Sequence, residues 1–183
     1  MNLIDAISGL IDRDRDLGER ILPSGVQLIA PSPEIAPNAW RHIIFPGLDE
    51  IDLLDIEVKL HQRLPVDLRN FFKVYNGLSL FNDAISIWGK RSSWSRAGDD
   101  IWQPFDIVDH NDARERPRQS PYSIIFFGSV DFGSRRVFYD PNEQLFGITK
   151  RDRYYRESAS SDFETWLSKE IRRQKVSTAR RRP

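Results

Sequence analysis

Residues that commonly perform catalysis are scarce in this sequence and stand far apart. The three histidines, His42, His61 and His110, have no second histidine at the spacing of a metal-binding pair. The one cluster that joins a histidine to carboxylates is Asp109-His110-Asn111-Asp112, which we interpret as a loop cap rather than a general base. Cysteine is absent, which excludes thiolate catalysis and cysteine-based metal sites. We therefore expect no catalytic residue, no metal site and no cofactor.

The spacing Asp12-x-Asp14-x-Asp16 imitates the start of a calcium-binding loop. An EF-hand loop counted from Asp12 needs glycine at its sixth position and glutamate at its twelfth. Leu17 and Pro23 occupy these two positions. We interpret the three aspartates, which alternate with arginines, as a charged face in contact with solvent.

Five acids and no base stand within nine residues at the predicted start of a helix. They are Asp49, Glu50, Asp52, Asp55 and Glu57. Acids at a helix start complement its dipole, which accounts for Asp49 and Glu50. Asp55 lies beyond the first turn, so Asp49, Asp52 and Asp55 are also candidates for an acidic surface that binds a basic partner.

A second candidate binding region runs from Lys90 to Arg96, where bases flank three serines and Trp94. Such a loop can stack on single-stranded nucleic acid and neutralise it, but Asp99 and Asp100 follow directly and weaken this interpretation. The loop equally fits a protein contact anchored by Trp94 and Trp102, because tryptophan and arginine dominate such contacts. Folding of these tryptophans back onto the sheet is the third alternative.

Apolar spacing predicts helices in the first half of the chain. We expect two short helices and a proline-rich connector in residues 1–47, then a helix from Leu48 to Leu60. One stripe of that helix faces the core, and the other, formed by Leu48, Ile51, Leu54 and Val58, needs a cover from the N-terminal segment or from a partner. A further helix starts at Leu64-Pro65 and stops at Asn76-Gly77.

The second half of the chain shows short β-type runs separated by turn residues. These runs are Ala84–Trp88, Phe105–Asp109, Ser123–Phe127, Arg135–Tyr139 and Leu145–Thr149. A capping box, Ser161-x-x-Glu164, then begins a final amphipathic helix to Ile171. This order predicts the α+β class, with a mainly antiparallel sheet packed with helices in a single domain.

The 27 basic and 27 acidic residues cancel over the 183-residue chain, but they are unevenly distributed. Residues 172–183 hold six bases and no acid, which leaves 21 bases against 27 acids, a net charge of −6, for the rest. We divide the chain into an N-terminal extension (1–47), an α+β domain (48–171) and a basic tail (172–183) expected to be disordered. No run approaches the roughly 18 apolar residues of a membrane helix, and we expect a cytoplasmic protein.

The segment from Ile56 to Gly77 resembles the signature of the SUKH superfamily, the Smi/Knr-like proteins. The shared features are a helix that ends in Glu-x-x-Leu, a Leu-Pro corner and a second helix that closes on Asn-Gly. The resemblance covers about Leu48 to Ile171 and implies an α+β fold. We expect the motif residues to be fold determinants: Glu57, Leu60, Leu64, Pro65, Asn76 and Gly77.

This resemblance implies binding rather than catalysis. Bacterial members commonly resemble immunity proteins that neutralise a cognate toxin domain, often a nuclease, and fungal relatives act as scaffolds in cell-wall regulation. We therefore expect a non-catalytic immunity protein that occludes a basic toxin. The expected contact residues are Asp49, Asp52, Asp55, Trp94, Asp99, Asp100 and Trp102. The alternatives are a nucleic-acid-binding module that uses the basic tail and the Lys90 to Arg96 loop, and a scaffold without a toxin.

Overall fold

A computed structural model describes residues 3–95, 97–150 and 153–180. The helices are α1 (Leu3–Arg15), α2 (Glu50–Leu60), α3 (Val66–Val74) and α4 (Phe163–Arg180). The strands are β1 (Glu19–Ile21), β2 (Gln27–Pro31), β3 (Trp40–Pro46), β4 (Tyr75–Leu80), β5 (Ile85–Ile87), β6 (Ile125–Val130), β7 (Arg135–Asp140), β8 (Leu145–Lys150) and β9 (Arg153–Ser160). Within the described ranges, no helix is both long enough and apolar enough to cross a membrane.

The strands form one antiparallel sheet whose spatial order matches the order along the chain. Each strand pairs with the next, and the long connection between β5 and β6 carries two short 3-10 helices, Gly98–Ile101 and Asp109–Asn111. The predicted α+β class with a mainly antiparallel sheet is confirmed.

The register of the central strands separates an apolar face from a polar face. Leu78 pairs with Ile87, and Leu80 pairs with Ile85. Paired residues of antiparallel strands point to the same side, and side chains alternate along a strand. The residues between them therefore lie on the opposite side, which we term the serine face because Ser79, Ser86 and Ser129 form a row across it.

Aromatic contacts join the helices to the sheet. The ring of Phe163 in α4 lies 5.1 Å from Phe71 of α3, 5.7 Å from Phe127 of β6 and 5.6 Å from Phe146 of β8, measured between ring centroids. Trp166 adds an edge contact with Phe127 at 5.7 Å. All of these rings are buried, so they connect two helices and the sheet in one core.

The first 47 residues contribute to the same core and the same sheet. The expected pair of short helices is wrong, since α1 is a single helix that buries Ile7 and Leu10. Strands β1 to β3 extend the sheet, and β3 joins the rest of it where His42 pairs with Leu80. Prolines obscure these strands in the sequence, yet in the structure they stand at strand ends, as Pro46 does in β3.

The expected strand over Phe105–Asp109 is wrong. This segment makes a single bridge, from Gly89 to Asp106, and then enters a 3-10 helix. The carboxylate of Asp106 accepts hydrogen bonds from the N–H groups of Val108 at 2.8 Å and Asp109 at 3.2 Å, which turns the chain out of the extended conformation.

Helix α4 differs from the expectation at both ends. Its first turn is capped by Asp162, whose Oδ1 accepts a hydrogen bond from the N–H of Thr165 at 2.7 Å, rather than by Ser161. The helix continues to Arg180, so the expectation of disorder from Arg172 is wrong as far as Arg180. Residues 181–183 lie outside the described ranges.

Candidate protein-binding surface

The connection between β5 and β6 forms an acidic concavity of about 500 Å³. Its four acids follow one another at intervals of three residues: Asp106, Asp109, Asp112 and Glu115. Trp94 and Phe105 line the same concavity. We term the four acids, Trp94 and Phe105 the acidic-aromatic surface. Arg91, Arg114 and His110 complete the lining of the concavity, which therefore holds four acids and two arginines. The regular spacing of these acids is the sequence signal that could have located the surface. The interpretation of Asp109 to Asp112 as a loop cap considered only His110 and its direct neighbours.

The acidic-aromatic surface holds carboxylates that are close together and incompletely neutralised. Burial raises the pKa of Asp109, and the neighbouring carboxylate of Asp106 raises it further. Asp112 and Glu115 act in the same direction, whereas Arg91 opposes them. The side chains of Asp109 and Glu115 have no hydrogen bond or ion pair with any residue in the described ranges. A basic partner can therefore relieve repulsion here.

Two aromatic rings stand exposed beside these acids. The side chain of Trp94 is 70% exposed, and Phe105 is 54% exposed. The guanidinium of Arg91 lies 4.6 Å from the centre of the Trp94 ring, which orients the indole without burying it. Large exposed aromatic side chains are typical anchors of protein contacts.

The other predicted residues of this loop are partly engaged within the chain. Trp102 packs against a small second core that includes Leu28 and Phe45, so this tryptophan folds back onto the sheet. Asp99 forms an ion pair with Arg20 at 2.9 Å. Asp100 is exposed.

The acids of α2 are neutralised within the chain. Asp49 caps the helix by accepting a hydrogen bond from the N–H of Asp52 at 2.8 Å. Lys90 reaches across to Asp52 at 2.7 Å and Asp55 at 2.9 Å. Asp55 also pairs with Lys59 at 2.8 Å, and Lys59 and then Lys90 hold the pKa of Asp55 below its ordinary value. These ion pairs leave α2 with little free charge for a partner.

The second apolar stripe of α2 is exposed apart from Leu48, which precedes the helix and packs against the main core. Ile51 is 75% exposed, Leu54 42% and Val58 70%, whereas Leu53 and Ile56 on the other stripe are buried. The N-terminal segment, proposed above as a cover, packs instead through α1 against β2 and α4.

One acid of the Asp12-Asp14-Asp16 series is buried, which corrects the expectation of a solvated face. The Oδ2 atom of Asp14 lies 3.0 Å from Nε2 of His42, and Arg13 and Arg41 form ion pairs with the same carboxylate at 2.9 Å. His42 is fully buried and thus closed to any substrate. Among the residues that the structure describes, no group of three or more His, Cys, Asp or Glu side chains could hold a metal ion.

Residues 47–169 match the model of the SMI1 / KNR4 family (SUKH-1). The chain belongs to this family. The matched span begins just before α2 and ends within α4, so α1 and β1 to β3 lie outside it although those strands complete the same sheet. No curated protein matches the sequence.

The SUKH-1 motif forms the corner between α2 and α3 around a buried carboxylate. Glu57 accepts a hydrogen bond from the N–H of Leu64 at 3.1 Å and pairs with Arg63 at 2.9 Å and Arg69 at 3.2 Å. Leu64 is buried beside it, and Pro65 precedes the first residue of α3. Glu57 thus satisfies a backbone donor that the sharp corner leaves without a helical partner.

The Asn-Gly end of the SUKH-1 motif does not stop a helix, contrary to our expectation. Helix α3 ends at Val74, and Asn76 and Gly77 already belong to β4. The side chain of Asn76 accepts a hydrogen bond from the N–H of Lys90 at 2.6 Å and donates one to its carbonyl at 2.8 Å. Gly77 has a φ of +82°, and a Cβ there would lie 2.4 Å from the carbonyl oxygen of Ile87. Asn76 and Gly77 therefore hold the start of the β5–β6 connection, at Lys90, against β4.

Proposed function

We propose that this SUKH-1 protein is a non-catalytic, cytoplasmic immunity protein that binds a basic toxin domain, such as a nuclease, and occludes it. Family membership supports a protein-binding role, because SUKH proteins act as immunity proteins and scaffolds. The observation that carries the proposal is the group of incompletely neutralised carboxylates beside the exposed Trp94 ring. A nuclease must present positive charge to bind phosphates, and an acidic surface of this kind can cover that charge.

The electrostatic part of this interaction concerns chiefly the rate of association. Uncompensated carboxylates such as Asp109 and Glu115 attract a basic surface over roughly 8 Å at physiological salt. Trp94 then supplies buried contact area after docking, which slows dissociation. The acids therefore raise the association rate, and Trp94 lowers the dissociation rate.

Within this proposal, the contact region differs from the one expected from the sequence. Trp94 and Asp100 remain candidate contacts, and the acidic-aromatic surface adds four acids. Asp49, Asp52 and Asp55 lie outside the main contact, because their charges already serve a helix cap and ion pairs with lysines.

The decisive experiment is co-expression with a candidate toxin domain chosen from the genes adjacent to this one. We expect a stable complex on size-exclusion chromatography and survival of cells that otherwise die. Absence of both the complex and the protection would refute the immunity role. Capture of several unrelated proteins with no protection from the toxin would instead support the scaffold alternative.

Charge-reversal variants locate the contact. Glu115→Lys and Asp109→Lys are expected to lower the association rate about tenfold each and to reduce its salt dependence. Glu34→Lys, in the turn between β2 and β3, reverses an exposed charge elsewhere and is the matched control. Equal rates for Glu115→Lys and Glu34→Lys in stopped-flow measurements would remove the acidic-aromatic surface from the interface.

The nucleic-acid alternative has less support than protein binding. Lys90 is held by Asp52 and Asp55, and Arg173 is held by Asp131 at 2.8 Å and Glu170 at 2.7 Å. These bases already have carboxylate partners. Binding of single-stranded DNA that weakens steeply with salt would revive this alternative.

A further inference from the structure

A cavity of about 400 Å³ on the serine face lies next to the concavity that holds the acidic-aromatic surface, and the two share Phe105 and His110. Its polar lining comes from Ser86, Ser129 and Arg136, and its aromatic lining includes Trp88. The volume lies within the range of small-molecule sites, which are typically about 300–1,000 Å³. We term this cavity the Trp88 pocket.

Arg136 is a half-buried cation without a carboxylate partner. Its guanidinium lies 5.0 Å from the centre of the Trp88 ring. Within the described ranges, the guanidinium has no hydrogen bond or ion pair, and only the backbone N–H of Arg136 donates, to Thr149 at 2.9 Å. The N–H groups of this guanidinium are therefore free to donate. Their planar arrangement allows two parallel hydrogen bonds to one carboxylate.

The hydroxyl groups of two largely buried serines line the same pocket. Ser86 and Ser129 are both 5% exposed, and they pair across β5 and β6. Neither hydroxyl has a hydrogen-bond partner among the residues the structure describes, whereas the neighbouring Ser79 donates to Asp83 at 2.5 Å. Both hydroxyl oxygens are open to the pocket, so each can donate a hydrogen bond to a ligand that enters it.

The charges around the pocket favour a ligand with a single negative charge. Burial lowers the pKa of His110, and the positive charge of Arg136 lowers it further, so this imidazole is neutral at pH 7. Asp83 also lines the pocket and carries a carboxylate. A dianion such as phosphate would be repelled by Asp83 and attracted by only one cation.

Aromatic rings frame the entrance. Phe105 is 54% exposed and Phe132 is 61% exposed. Phe132 adopts a left-handed conformation, with a φ of 58°, in the turn between β6 and β7. This conformation is unfavourable for a bulky side chain, yet here it places an aromatic ring at the pocket instead of the small residue typical of such turns.

We propose that the Trp88 pocket binds a small aromatic carboxylate, whose carboxylate group pairs with Arg136 and accepts hydrogen bonds from Ser86 and Ser129, while its ring contacts Phe105 and Phe132. The pocket is separate from the acids that carry the proposed immunity function. Its ligand can be tested without any toxin.

Benzoate is the probe, and its neutral analogue benzamide is the matched ligand control. Titration of the intact protein, followed by NMR at the Trp88 indole and the His110 ring, is expected to show saturable benzoate binding in the millimolar range, as is usual for so small a ligand. Benzamide and inorganic phosphate are each expected to bind at least about tenfold more weakly. Benzoate is also expected to raise the pKa of His110, because its negative charge offsets Arg136.

Variants assign the binding to named side chains. Arg136→Gln is expected to abolish benzoate binding and Phe132→Ala to weaken it several-fold, whereas Arg172→Gln, at an exposed arginine of α4, leaves it unchanged. If Arg136→Gln does not fold, Arg136→Lys keeps the charge but loses the fork and is expected to bind benzoate about tenfold more weakly. Two results with the ligands would overturn the proposal: benzoate binds no more tightly than benzamide, or phosphate binds more tightly than benzoate. Full affinity in the Arg136 variant that folds would also overturn it, as would the lack of a saturable shift at the Trp88 and His110 rings.

Discussion

The carboxylate of Asp14 in α1 and the imidazole of His42 in β3 form a buried hydrogen bond, with 3.0 Å between Oδ2 and Nε2. Nδ1 of His42 accepts a longer hydrogen bond from the N–H of Phe81 at 3.4 Å. The neutral imidazole therefore has a partner at each nitrogen. This arrangement joins the N-terminal helix to the sheet outside the span that defines the SUKH-1 family.

The burial of His42 predicts a loss of stability in mild acid. Burial lowers the pKa of His42 from 6.5 to about 4, although Asp14 opposes this shift. Between these values the unfolded chain binds a proton that the folded chain does not, so stability falls as the pH drops from about 6.5 to about 4. The shift corresponds to roughly 3 kcal/mol. Asp14 adds a further loss at lower pH, because its pKa is held below 3.8 by Arg13 and His42 in spite of burial.

Urea unfolding at a series of pH values checks this prediction. The variant His42→Gln is expected to show a flatter dependence of the unfolding free energy on pH between 4 and 6.5, whatever its absolute stability. His61→Asn, at an exposed histidine, serves as the control for the loss of an imidazole. An unchanged slope in His42→Gln would show that His42 is not the titrating group.

Replacement of Glu57 is expected to destabilise the domain strongly. Glu57→Ala leaves the buried N–H of Leu64 without a partner and removes two ion pairs, which predicts a loss of roughly 2–4 kcal/mol. Glu50 pairs with the same Arg69, at 2.6 Å, but is exposed. Glu50→Ala is thus the matched control, with a much smaller effect expected in urea unfolding. Similar losses for both variants would contradict the structural role of the buried carboxylate.

Two glycine-to-alanine substitutions are expected to act in opposite directions. A Cβ at Gly89 would lie 2.2 Å from Oδ1 of Asn76, so Gly89→Ala displaces the amide that holds Lys90 and is expected to lose about 2–3 kcal/mol. Gly9 lies in α1 with open space around it, and Gly9→Ala is expected to gain about 0.5–1 kcal/mol from helix propensity. Thermal unfolding of the two variants compares these changes, and a stabilised Gly89→Ala would contradict the close contact.

Two neighbouring arginines of α4 test whether the basic end of the chain is part of the fold. Arg173 bonds Asp131 and Glu170, whereas Arg172 is exposed. We expect Arg173→Ala to lose up to about 1 kcal/mol, a value reduced by solvent screening, and Arg172→Ala to change stability little. Equal melting temperatures would show that the ion pairs of Arg173 do not contribute to stability.

The fold class was predictable because hairpin strands pair with their neighbours in the chain. Local turn residues and apolar runs were sufficient for β5 to β8 and for the helices α2 and α3. Strand β4 was missed because it follows α3 without a loop, so no turn residue marks the boundary at Tyr75. The candidate surface was only half predictable. The sequence offered both Trp94 and Trp102 as anchors, yet in the structure Trp94 is exposed and Trp102 packs onto the second core.

The sequence by itself determined the family and the absence of thiol chemistry, because these depend on residue types and short spacings. It also located the acids. Only the tertiary structure decided which acids remain free, because ion pairing depends on distances in space. Lys90 stands 38 residues after Asp52 in the chain, yet its Nζ lies 2.7 Å from the carboxylate. Among the described residues, no base forms an ion pair with Asp109, although Arg91 lines the same concavity.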